Sequence, residues 1–279
     1  MTDDHETDAV FAGSVPDIYD EYLVPLIFAP YAEDLASRLS ALPCSSILEV
    51  AAGTGVVTRA LAVRLPESLE ITATDLNQAM IDRAIAVGTA RPVTWQMADA
   101  MSLPFANASF DVVLCQFGVM FFPDKPAAFA EMARVLSPGG ALLFNVWDRI
   151  ETNEFADTVT TSVGRLFPED PPRFLARTPH GYHDEATIRA DLGSGGFAAE
   201  ALIEAVEVRR LATSSDFPAI AHAYCQGTPL RNEIEARDPA RLQEATDTAA
   251  TALAERFGRT DNGGLLRAFV VTVRKPGLL

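Results

Sequence analysis

Between Ser46 and Trp147 two kinds of apolar pattern take turns along the chain. Short, nearly continuous apolar runs alternate with segments whose apolar residues recur every three or four positions. The first kind reads as a strand buried on both faces, the second as a helix with one face turned to a core. "SILEV" (46–50) is the first such strand, and Val57, Leu61 and Leu65 then share one helical face. "EITATD" (70–75) is the second strand, followed by a helix with Ile81 and Ile85 on one side. "VTWQMAD" (93–99) and "FDVVLCQF" (110–117) are the third and fourth. A helix from about Lys125 places Phe129, Met132, Ala133 and Leu136 together, and "SPGG" (137–140) reads as its stop and turn. "ALLFNVW" (141–147) is the fifth strand. Alternation of this kind means a parallel sheet with helices on both faces.

Outside that stretch the rhythm changes. Residues 17–39 are helical, and Pro25 and Pro30 are expected to split them into two pieces. Residues 1–15 are expected to be mobile. After Trp147 come helices and a proline-rich loop, "FPEDPPRFLARTPHGYHD" (167–184). "ALIEAVEVRR" (201–210) alternates as a strand, and residues 216–257 are helical with a break at "QGTPLR". Arg231 and Glu235, four apart after that break, are placed for an ion pair. "RAFVVTVRKP" (267–276) closes the chain as a strand, so two late strands separated by helices form an insertion on the sheet. An apolar helix face within 216–257 is the candidate surface for pairing of chains.

Composition narrows the function classes. Of 279 residues, 22 are basic and 38 acidic, a formal charge of −16, which argues against nucleic acid as a partner. The three cysteines, Cys44, Cys115 and Cys225, are far apart and form no CxxC, so no zinc site or disulfide framework is expected, and reduced thiols in a cytoplasm fit better. The acidic N-terminus lacks the apolar segment of a signal peptide, and no apolar run is long enough to span a membrane.

In an open parallel sheet ligands lie beyond the C-terminal strand ends. The residues there are Glu49 to Gly55, Asp75, Asp99, and Cys115 to Phe117. The small residues of "LEVAAGTG" (48–55) let a ligand approach the backbone. A dinucleotide fold wants GxGxxG, but here Thr58 stands where the third glycine belongs, and no Lys–Ser/Thr pair follows as in a phosphate-binding loop. Glu49 before the turn is unwelcome to a pyrophosphate and suits an ammonium group. Asp75, 20 residues after Gly55, is spaced to accept both hydroxyls of a ribose. An amine at one end and a ribose at the other describe S-adenosylmethionine.

"ILEVAAGTG", "TATD", "ADA", "FDVVLCQFGVMFFPD" and "RVLSPGGALL", in that order, resemble the class I S-adenosylmethionine-dependent methyltransferases. Within that family the style is that of the small-molecule enzymes of ubiquinone and menaquinone biosynthesis. The resemblance implies a Rossmann-like, doubly wound α/β sheet of about seven strands, mostly parallel with an antiparallel C-terminal strand, plus helical insertions. It implies a helical lid over residues 1–43, a cofactor core over 44–147, and substrate-side insertions with the last two strands over 148–279. Glu49, Ala51, Gly53, Thr54 and Gly55 would line the methionine part. Asp75 would hold the ribose, with Leu76 and Met80 against the adenine. Asp99 would accept from the adenine amino group and Ala100 would offer its backbone. Gln116 and Phe117 would face the methionine and the transferring methyl, and Tyr19 would cover the cofactor. Ala51 departs from the family's usual glycine.

The expected product is S-adenosylhomocysteine, and the expected acceptor is a small, partly apolar molecule methylated at O, C or N. Phe117, Met120, Phe121 and Phe122 read either as core or as the wall of its pocket. His180 and His183, close together in "TPHGYHD", are candidate general bases, with a hydrogen-bonded loop as the plainer reading. No metal is expected, and the chain acts as a monomer or homodimer. Two other readings stay open at this point: a cofactor-binding protein that does not turn over, and a nicotinamide-dependent oxidoreductase.

Overall fold

Among the described residues seven segments form strands: β1 (Ser46–Val50), β2 (Glu70–Asp75), β3 (Thr94–Met97), β4 (Phe110–Gln116), β5 (Leu136–Trp147), β6 (Leu202–Arg210) and β7 (Gly264–Arg274). This computed structural model describes residues 15–197, 200–258 and 263–277. The strands form one sheet in the order β3-β2-β1-β4-β5-β7-β6. β1, β2, β3, β4 and β5 pair in parallel. β7 runs the other way: Gly139 N–H donates to the Lys275 carbonyl, whereas Asp148 N–H donates to that of Arg267. As the numbers rise along β5 they fall along β7.

β1 occupies the middle of the five parallel strands, and its apolar Ile47, Leu48 and Val50 are buried. Its register fixes Glu49 beside Ala73 of β2 and Leu114 of β4. The chain winds outward from β1 to β2 and β3, then returns to β4 and β5 on the other side. The strand order therefore reverses between β1 and β4, and a crevice opens at such a point beyond the strand ends.

The backbone clusters into two compact units, and β5, β6 and β7 each begin in one and end in the other. One unit comprises Ala29–Val146, His183–Ala205 and the chain from Phe269. It holds the five parallel strands with α1 (Ala29–Ser40), α2 (Val56–Arg64), α3 (Gln78–Val87), α4 (Lys125–Val135) and a later helix, Glu185–Ser194. α4 begins where Asp124 accepts the Ala127 N–H at 2.9 Å, and it buries Phe129 and Met132 as the periodicity requires.

The other unit comprises the chain up to Phe28, Trp147–Tyr182 and Val206–Ala268. Its core is built from helices Glu154–Gly164, Phe217–Gln226 and Leu242–Phe257, which bury Phe155, Phe217, Leu253 and Phe257 against one another. The apolar face expected to be exposed within 216–257 is thus an interior face, because these helices need each other to cover it. Arg231 and Glu235 form the expected ion pair at 2.9 Å.

Two further expectations need correction. Pro25 and Pro30 do not split the first helical stretch. It runs on without a gap, and Pro25 lies inside a π-helix, Tyr19–Phe28, that passes into α1 at Ala29. Wider i→i+5 turns move the carbonyl four residues back out of the way of the proline ring. "SPGG" is not a loop after α4. The helix ends at Val135 and the strand starts at Leu136. Phe110 pairs with Leu136 and Val112 with Ala141, so the four turn-type residues bulge out of β5 opposite a single residue of β4. The expectation for residues 1–15 lies, apart from Val15, outside the described residues.

Candidate functional site

The turn after β1 is built on left-handed backbone. Ala51, Gly53 and Gly55 all have positive φ, at 55°, 57° and 82°. Ala52 N–H is held by the Thr74 carbonyl of β2 and Gly55 N–H by the Ala52 carbonyl, both at 2.9 Å. Gly55 caps α2, and a Cβ there would lie 2.8 Å from the Trp95 ring of β3. Thr54, 1% exposed, carries a buried hydroxyl with no hydrogen-bond partner among the described residues.

Glu49 is sealed beneath this turn, 1% exposed. Its Oε2 accepts the Thr58 hydroxyl at 2.6 Å. Burial pushes its carboxyl up to about 8, against the pull of the Thr58 hydroxyl and the Arg59 charge. A carboxyl so held gains most from a cation nearby. Thr58, which occupies the place of a dinucleotide fold's third glycine, fills it with a side chain bonded to that acid. The arrangement disfavours a pyrophosphate on two counts, a missing glycine and an acid where an anion would sit.

Asp75, at the end of β2, ties two loops together. One carboxylate oxygen accepts Gly53 N–H and the other accepts Asn77 N–H, each at 2.8 Å. Burial raises its pKa while those backbone donors oppose the rise. Asn77, not Asp75, is the cap residue of α3. Leu76 beside it is exposed and Met80 is buried. Met97 at the tip of β3 is the register partner of Asp75 and is also exposed, so two large apolar side chains meet solvent at adjoining strand tips. Beyond β3, Asp99 Oδ1 accepts Met101 N–H at 2.8 Å, and Ala100 is buried.

The turn after β4 faces the one after β1. Phe117 has φ of 51° and sets its ring edge-on to Tyr31 of α1 at 5.3 Å. A Cβ on Gly118 would lie 2.6 Å from the Ala51 methyl and 2.7 Å from the Cys115 sulfur. The methyl that replaces the family's usual glycine at 51 therefore rests where residue 118 has no side chain. Gln116 ends β4 beside Asn145 of β5. One unit thus holds Glu49, Ala51, Gly53, Thr54, Gly55, Asp75, Leu76, Asp99, Ala100, Gln116 and Phe117 at or just beyond its strand ends, with Met80 in the first turn of α3.

Three expected residues are placed differently. Tyr19 belongs to the other unit, stacked on Phe28 at 5.0 Å. His180 also lies there, buried, with Nδ1 2.8 Å from the Asp148 carbonyl oxygen and its ring near Trp147. Since that oxygen only accepts, Nδ1 carries the proton. His183 sits just before Asp184, the cap of the helix that follows. Asn145 was missed as a candidate, although one polar residue inside the apolar run "LLFNVW" is the signal that marks it.

Among the described residues no group of three or more His, Cys, Asp or Glu could hold a metal ion, and no helix is long and apolar enough to cross a membrane. The residues fit S-adenosylmethionine by their own chemistry: a buried acid suited to a cation, a second acid at ribose spacing, and small residues between.

Comparison with known proteins points the same way. The family described as Methyltransferase domain matches residues 48–144. A ubiquinone/menaquinone biosynthesis C-methyltransferase of Paraburkholderia phymatum is 34% identical over 169 residues, which cover 56% of this chain and 69% of that protein. The YcgJ protein of Bacillus subtilis shares the fold with a TM-score of 0.55 at 18% identity, over 89% of this chain and all of that one. Phosphoethanolamine N-methyltransferase 2 of Haemonchus contortus, solved with S-adenosyl-L-methionine, shares it at 0.53 and 19% identity, over 88% and 52% of the respective chains.

Proposed function

Because this chain belongs to the class I S-adenosylmethionine-dependent methyltransferases of the ubiquinone/menaquinone-biosynthesis type, we propose that the turns after β1, β2 and β4 grip the methyl donor for a small, partly apolar acceptor. When bound, S-adenosylmethionine supplies a methyl group already activated by its sulfonium for in-line displacement. The protein's task is then to hold the partners in line and keep water away.

Glu49 would meet the donor's ammonium group, and the turn Ala51–Gly55 would lie along its methionine part. Asp75 would accept the ribose hydroxyls with the lone pairs left after Gly53 and Asn77. Leu76, Met80, Asp99 and Ala100 would surround the adenine. Gln116 and Phe117 would lie toward the methyl, with Met120, Phe121 and Phe122 offering an apolar wall. Tyr19 is kept as a covering residue. His180, its Nδ1 set against the Asp148 carbonyl, and His183 are kept as the candidate bases for an acceptor that must first lose a proton. The excess of acidic residues favours a small molecule over nucleic acid, and the free thiols favour the cytoplasm. Either a monomer or a homodimer serves this chemistry.

The observation that carries the reading is the pair of buried acids, Glu49 and Asp75, at neighbouring strand ends. Titration calorimetry should detect S-adenosylmethionine or S-adenosylhomocysteine at micromolar-range affinity, about −8 kcal/mol. Asp75→Ala should weaken binding tenfold or more, a loss of about 1.4 kcal/mol. Wild-type affinity in that variant would remove the ribose assignment.

A further inference from the structure

Asn145 is an odd residue to find where it stands. It is fully buried in β5 between Phe144 and Val146, both also buried. Its Oδ1 accepts Phe117 N–H at 2.9 Å, and its own carbonyl reaches the same N–H at 3.2 Å. The Nδ2 end of the same amide has no hydrogen-bond partner among the described residues. A buried donor left unpaired disfavours the fold, and an apolar side chain in this strand would avoid that cost.

The residue it holds is strained. Phe117 is bulky and left-handed, a conformation that persists only where the surroundings over-determine it. Asn145 supplies that constraint from the neighbouring strand. Phe117 leads into Gly118, and Gly118 receives the methyl of Ala51, itself left-handed. A line of contacts therefore runs from Asn145 through Phe117 and Gly118 to the turn after β1.

We infer that Asn145 is a positioning residue: it fixes the turns after β4 and β1 in the shape that receives the methionine end of the donor. This deepens the proposed function and rests on it. Asn145 acts through Phe117 and need not touch the donor. Because its amide is half unpaired, the fold would stand without it, whereas the shape of the site would not.

The test compares two probes. S-adenosylhomocysteine carries the amino-acid end; methylthioadenosine keeps the adenosine and lacks it. Calorimetry on Asn145→Leu should show about a tenfold loss for S-adenosylhomocysteine and less than a threefold loss for methylthioadenosine, with Tm unchanged or raised. Phe117→Gly, which adopts the left-handed turn without strain, should shrink the Asn145→Leu effect on S-adenosylhomocysteine to below threefold. Unchanged affinity in Asn145→Leu overturns the inference, and so does an equal loss for both probes. Should Asn145→Leu not fold, Asn145 is needed for stability and the inference is likewise overturned. Failure of the wild-type protein to bind either probe would instead strike the proposed function.

Discussion

Glu49 couples the site to pH. In the unfolded chain its pKa is near 4.5, and burial lifts it to about 8 in the fold. Between those values the folded protein holds a proton that the unfolded chain has lost. Stability without ligand is therefore greatest at the low end and falls as pH rises through that window. A bound ammonium group reverses the preference and drives the proton off. Calorimetry at pH 7 in buffers of different ionisation enthalpy should show release of nearly one proton per S-adenosylmethionine bound, and Glu49→Gln should abolish it. Binding without proton release would mean that Glu49 does not face the cation. Ala51 offers a second measurement at this scale. Its left-handed backbone costs about 1 kcal/mol relative to glycine, so Ala51→Gly should stabilise by that amount. Gly118→Ala should destabilise, because its new methyl would overlap the Ala51 methyl, and Ala51→Gly should recover part of the loss in the double variant. If the two changes simply add, the turns do not press on each other. Of these residues the sequence disclosed the acids and the glycines, since spacing and residue type suffice for them. It did not disclose that residue 118 must lack a side chain, because the atoms concerned are brought together only by the sheet.

The elements were legible where one physical signal dominated. Five apolar runs became five parallel strands, with ends that moved by at most a few residues, except at the start of β5. "SPGG" misled because a glycine-proline cluster marks a local change of direction without saying whether the strand has already begun. Here the bulge is held by partners far along the chain. Lys275 N–H donates to the Gly140 carbonyl at 2.8 Å, and Lys275 Nζ donates to that of Leu136 at 2.7 Å. The prolines misled for a related reason: the clash of a proline ring with the carbonyl four residues back breaks a regular α-helix, whereas a wider turn moves that carbonyl aside. The bulge lies at the opening end of β5, whereas the candidate site lies at the closing ends of the strands. Lys275→Ala should thus cost about 1 kcal/mol in chemical denaturation while leaving S-adenosylhomocysteine affinity unchanged. A loss of affinity greater than threefold would show that strain at one end of β5 reaches the other.

At the scale of the whole molecule, the −16 charge gives the donor and its product different welcomes. S-adenosylmethionine carries a sulfonium, an ammonium and a carboxylate, net +1, whereas S-adenosylhomocysteine lacks the sulfonium charge and is neutral overall. An acidic protein draws the first from a distance and exerts no net pull on the second. Salt shortens that reach from about 30 Å at 0.01 M to about 8 Å at 0.15 M. Stopped-flow association should therefore slow several-fold for S-adenosylmethionine as sodium chloride rises over that range, with little change for S-adenosylhomocysteine. Equal salt dependence would mean that the acidic surface does not distinguish the two ligands at long range. A steep dependence for the donor alone would mean that the acidic surface, which carries no information about the fold, favours the arrival of reactant over product, a preference that Glu49 cannot supply because the ammonium group it would meet is common to both.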